Sequence, residues 1–124
     1  MSSDRPGRPQ DVPDDVQAYM DAIPPEHRPL FDRVEATIRA VRPEATVRLS
    51  YGMPAYEAAG HRLYVGTWRH GLSFYGWSRG GDGGFTERHP ELVTGKGTVR
   101  LRPEDAAALP DEELTAFVRA VLGG

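Results

Sequence analysis

The stretch SYGMPAYEAAGHRLYVG, residues 50–66, decides how the middle of this chain folds. Gly52 admits a positive φ, while Pro54 fixes its own φ and keeps Met53 extended. The corner Tyr51-Gly52-Met53-Pro54 therefore redirects the chain and sets where Tyr51 and Tyr56 point. Residues 54–58 read as a strand leaving that corner. Ala59-Gly60 is a tight turn into a longer strand, His61 to Trp68.

Working outward, a two-residue period appears on both sides. Val47 and Leu49 alternate with Thr46, Arg48 and Ser50, as in a half-buried strand. Arg69-His70-Gly71 turns the chain into a strand from Leu72 to Trp77, and Thr98 to Leu101 is a fifth. Between them, the glycine-rich stretch 79–84 matches neither phosphate-binding pattern and reads as a flexible surface loop. Phe85 to Leu92 reads as a short helix cut by Pro90.

Towards both ends the period becomes 3.6. Pro13-Asp14-Asp15 opens a helix carrying Val16, Met20 and Ile23, and its acidic first turn suits the helix dipole. Pro24-Pro25 stops it. Leu30, Phe31, Val34, Ile38 and Val41 stripe a helix over 26–42, ended by Pro43. Asp111 caps a last helix whose Leu114, Phe117, Val118, Val121 and Leu122 face one way, and Gly123-Gly124 ends it. The expected architecture is one α+β domain over residues 12–124. Its antiparallel sheet has about five strands, with two N-terminal helices and one C-terminal helix packed on one face. Residues 1–11 read as a disordered leader without the apolar stretch of a signal peptide.

Composition narrows the function classes. The 124 residues contain no cysteine, which excludes disulfides and thiolate chemistry and fits a cytoplasmic protein. A net charge of −3 lacks the basic surplus expected of a nucleic-acid binder. No apolar run approaches the ~18 residues of a membrane span. Of the 15 basic residues 14 are arginine, and Lys96 is the one lysine.

Side chains alternate across strands, so the sheet can be sorted into two faces. Val47, Leu49, Leu63, Val65, Leu72, Phe74, Val99 and Leu101 should meet the helices, forming one core with Phe31, Val34, Ile38, Phe117 and Val121. The opposite set is Arg48, Arg62, Tyr64, Gly66, Trp68, Tyr75, Trp77, Thr98 and Arg100. Such rings either shield the sheet or meet a second copy, leaving monomer and homodimer open, or they form a platform for an unknown small molecule or protein. The candidate ligand-binding residues are Arg48, Tyr51, Tyr56, Tyr64, Trp68, Tyr75, Trp77 and Lys96. Lys96 is a compact charge between two glycines, and is expected at the rim near Tyr51 or Tyr56.

No catalytic residue, cofactor or metal site is expected. Asp14, Asp15, Asp111, Glu112 and Glu113 sit in first helical turns, where anions are stabilising without any metal. His61 and His70 stand at opposite ends of one strand, roughly 30 Å apart at ~3.3 Å per residue. Ser50, Ser73 and Ser78 lie in no nucleophile elbow.

The pieces Ser50-Tyr51-Gly52-Met53-Pro54-Ala55-Tyr56, Arg69-His70-Gly71 and Thr94-Gly95-Lys96-Gly97-Thr98-Val99, in that order, resemble the YdhG-like domain-of-unknown-function family over about residues 12–122. The resemblance implies a small bacterial α+β domain with no established catalytic activity, and some relatives carry the label of a frataxin-like iron chaperone. Gly95 stands where the family usually has the serine of Ser-Lys-Gly-Thr. Three functions follow as expectations: a non-catalytic binding domain first, then an iron-binding chaperone, then a small enzyme whose polar residues converge on folding.

Overall fold

Each change of period becomes a change of element in the computed structural model, which describes residues 12–77, 81–94 and 98–123. Two helices come first, α1 (Asp14–Asp21) and α2 (Arg28–Val41). Four strands follow: β1 (Thr46–Ser50), β2 (Met53–Ala58), β3 (His61–Trp68) and β4 (Gly71–Tyr75). Then come α3 (Phe85–Arg88), a 3₁₀ turn at Pro90–Leu92, β5 (Val93–Thr94) and β6 (Thr98–Leu101). The chain closes with α4 (Pro103–Ala107) and α5 (Asp111–Leu122).

The strands form one sheet in the order β1-β2-β3-β4-β6-β5, and every neighbouring pair is antiparallel. The α+β class is as expected, but about five strands and three helices undercounts the described residues, which hold six strands and five helices. The unanticipated elements are β5 and α4, of two and five residues, too short to display a period, while α3 falls within the short helix expected over Phe85 to Leu92. No helix among the described residues is long and apolar enough to cross a membrane.

Two-residue turns set the register of the first three strands. Tyr51 (φ 53) and Gly52 (φ 75) join the pair Ser50↔Met53, and Ala59 (φ 51) and Gly60 (φ 84) join Ala58↔His61. Left-handed backbone at both turn positions matches the twist of the strands it connects. Pro54 has no N–H to give, and the β2–β3 ladder begins one residue later, at Ala55↔Tyr64.

The aliphatic face is buried as the alternation predicts. Val47, Leu63, Val65, Leu72, Phe74, Val99 and Leu101 share one core with Phe31, Val34, Ile38, Phe117 and Val121, and Leu49 packs on its margin. Helices α2 and α5 lie against each other over this face, and α5 also covers β3. The Tyr19 hydroxyl ties α1 to β3 by accepting the Thr67 N–H at 3.0 Å. Pro29 falls in the first turn of α2, where a missing N–H does no harm. The last helix is capped by Pro110, so Asp111 is its first residue rather than its cap.

Two rings expected in the ligand set lie on the helix side instead. Tyr56 pairs with Val47 and Leu63, shares their face and is 0 % exposed. Trp77 is displaced by a break in alternation: β4 ends at Tyr75, and Gly76 adopts φ 118, a conformation suited to glycine. The chain swings there, and the Trp77 ring meets Phe117 edge-on with centroids 5.2 Å apart. Residues 1–11, Ser78, Arg79, Gly80 and Lys96 with its flanking glycines lie outside the described residues.

Candidate binding cleft on the open sheet face

The face away from the helices has a floor of small residues. Its register runs Arg48↔Ala55↔Tyr64↔Tyr75 in one row and Gly66↔Ser73↔Arg100 in the next. Ala55, Gly66, Gly71 and Ser73 are all buried on this face, beneath larger neighbours. Met53 lies over Gly66, where an added Cβ would stand 3.1 Å from its sulfur. Larger side chains in the floor would lift these covers off the sheet.

At one end the floor opens into a cavity of about 350 Å³ lined by Tyr51, Met53, Tyr64, Tyr75 and Gly76. Tyr64 and Tyr75 are direct cross-strand partners, and the Tyr51 ring stands 6.0 Å from Tyr64. Tyr51 is 87 % exposed and holds a left-handed backbone, which costs about 1–2 kcal/mol for a residue with a Cβ. Asparagine or glycine is the usual occupant of that turn position. The tyrosine is thus kept against local preference at the mouth of the cavity.

The Tyr64 hydroxyl is the polar group of this end. Hydrogen bonding with Ser50, then with Arg62, draws its pKa below the usual phenol range against an opposing effect of burial, and the charges of Arg62 and Arg48 add to the lowering. Arg62 is itself fixed to Glu57 at 3.0 Å. Towards the other end, the Tyr75 hydroxyl donates to Ser73 at 3.3 Å. Beyond it the Trp68 indole N–H donates to the Leu72 carbonyl at 3.2 Å, and the Arg100 guanidinium carbon lies 4.5 Å over the indole ring. Arg102 approaches the same ring at 5.7 Å, and His70 stands edge-on to it at 5.1 Å.

Of the ligand residues expected from sequence, the fold gathers Tyr51, Tyr64 and Tyr75 into one cavity, with Arg48 beside Tyr64 and Trp68 farther along the same face. Tyr56 and Trp77 are removed to the core side. The Lys96 expectation falls outside the described residues. Met53, which the sequence marks only as part of the turn, also lines the cavity. Arg100 gained its place only through the β4–β6 pairing.

Other polar clusters are structural. Asp82, 4 % exposed, accepts from Thr86 Oγ1 at 2.6 Å, Thr86 N–H at 2.9 Å and Gly84 N–H at 3.2 Å. Burial pushes its pKa up, but these hydrogen bonds outweigh that and hold it below the usual carboxylate range. The described part of the glycine-rich stretch is therefore anchored by Asp82 rather than loose. Asp111 pairs with Arg33, and Glu113 binds Arg88 and His89. No three histidine, aspartate or glutamate side chains converge on a metal-sized site among the described residues.

Comparison with protein-family models, with curated proteins and with solved structures returns no significant match.

Proposed function

We propose that this chain is a non-catalytic binding domain whose open sheet face takes a small, largely apolar ligand between Tyr51, Met53, Tyr64 and Tyr75. The supporting observation is the cavity itself: about 350 Å³, concave, and walled by three tyrosines and a methionine. Its size falls within the usual range for small-molecule pockets, roughly 300–1,000 Å³. No histidine or carboxylate is among its described lining residues. The cysteine-free composition suits a cytoplasmic location, and membership of the YdhG-like family belongs to the same proposal.

The test uses N-phenyl-1-naphthylamine, a neutral apolar dye whose fluorescence rises in a dry site. Saturable enhancement is expected with the native chain. Tyr64→Ala and Tyr75→Ala should each weaken it by roughly 10-fold, the scale of a lost aromatic contact worth ~1–2 kcal/mol. Circular dichroism confirms that both variants fold. Enhancement indifferent to both substitutions, or none at all, would defeat the reading.

A further inference from the structure

Arginine pairing is uneven among the described residues. Arg28, Arg33, Arg39, Arg42, Arg62 and Arg88 each have a carboxylate within 4.0 Å. On the open face Arg48, Arg100 and Arg102 have none among the described residues. Arg100 is the most constrained of these. It sits over the Trp68 ring, and its Nε is buried without a hydrogen-bond partner among the described residues. A buried donor on a charged group is costly to leave unmet, and a planar oxyanion is the acceptor whose geometry fits a guanidinium fork. Trp68 holds the cation in place by its ring face.

Arg102 follows two residues later on extended backbone, φ −88 and ψ 163, and therefore projects to the same side. Two guanidinium groups thus converge on one indole. This cationic spot lies on the same sheet face as the cavity. The Tyr75 ring lines the cavity, its hydroxyl reaches Ser73, and Ser73 is the cross-strand neighbour of Arg100. Tyr75 and Ser73 are two residues apart, roughly 7 Å along the strand. Arg48, by contrast, is exposed.

We propose that the ligand is an amphipathic anion, with its apolar body among the tyrosines and a carboxylate or phosphate ester on Arg100 and Arg102 over Trp68. This inference rests on the cleft being a ligand site. A matched pair of compounds separates the two ideas: 4-(2-naphthyl)butanoate and the corresponding neutral alcohol, each titrated calorimetrically. The carboxylate should bind at least roughly 10-fold more tightly at low salt, as expected for charge-assisted hydrogen bonds, with the advantage shrinking as salt rises. Arg100→Gln combined with Arg102→Gln should abolish that advantage while leaving the alcohol unchanged. Arg119→Gln, an exposed arginine on α5, should alter neither.

Equal binding of the two compounds to the native chain overturns the anion assignment and leaves the cleft standing. So does an advantage that survives the double substitution, or one lost in Arg48→Gln instead. Failure of both compounds to bind overturns the cleft, and the inference with it. Binding of the carboxylate alone, insensitive to Tyr64→Ala, overturns the joint site.

Discussion

The Tyr56 hydroxyl donates to Glu35 Oε2 at 3.2 Å, from a ring that is fully buried between β2 and α2. Burial first, then the Glu35 charge and hydrogen bond, pushes the Tyr56 pKa far above the usual phenol range. The folded state therefore holds this proton more tightly than the unfolded chain does. Stability from this site is complete below the unfolded value of about 10 and is lost as pH rises past it. Thermal melts between about pH 8 and pH 11 should show a falling midpoint that Tyr56→Phe makes shallower. An identical slope in both proteins would refute this account.

Tyr51 should show a conflict between stability and binding. Tyr51→Asn relieves the left-handed backbone and should raise stability by about 1 kcal/mol, while weakening the neutral dye. Ala59→Asn relieves the matching position of the next turn, with a similar gain and no effect on the dye. Urea denaturation and dye titration on both variants check the pair. Unchanged dye affinity in Tyr51→Asn removes Tyr51 from the site.

Asp82→Ala leaves the Thr86 and Gly84 N–H donors without their acceptor and should cost about 1–3 kcal/mol at neutral pH. Because the Asp82 pKa is depressed in the folded state, its contribution is complete above the ordinary carboxylate value of about 4 and fades as pH falls through the depressed one. The gap between native and variant midpoints in urea should narrow in acid. A gap that stays constant down to about pH 2 contradicts this.

Leu63→Ala and Phe117→Ala should each cost about 2–5 kcal/mol. Phe117 touches Phe74, Phe85 and Trp77 with centroids 5.7, 4.7 and 5.2 Å away, joining the sheet to both α3 and α5. Losses below about 0.5 kcal/mol in denaturant would place either residue at the surface.

Where the period ran unbroken over several residues, sequence and structure agree. The stripe of α2, the alternation of β1, β3 and the first part of β4, and the breaks at Pro43 and Gly52 were all readable. Failure came at single residues where the backbone leaves its period. Gly76 looks like any strand glycine in sequence, yet its φ moves Trp77 from one face to the other. Tyr56 was grouped with Tyr51 by proximity to one corner, although five positions along a turn and strand place them on opposite sides. The cleft was half legible: three of its tyrosines follow from alternation and the turn. The Trp68–Arg100 stack needed the pairing of β6 beside β4, a contact between distant segments that no local pattern encodes.

That late pairing also orders how the molecule assembles. Strands β1 to β4 are joined by two-residue turns and can find one another with little loop-closure entropy. Strand β6 must return from far along the chain before Leu101 meets Leu72. Trp68 belongs to the early unit and Arg100 to the late one, so the cation reaches the indole only when the sheet is complete. An intermediate holding β1 to β4 alone would display the tyrosine cavity without its cationic end.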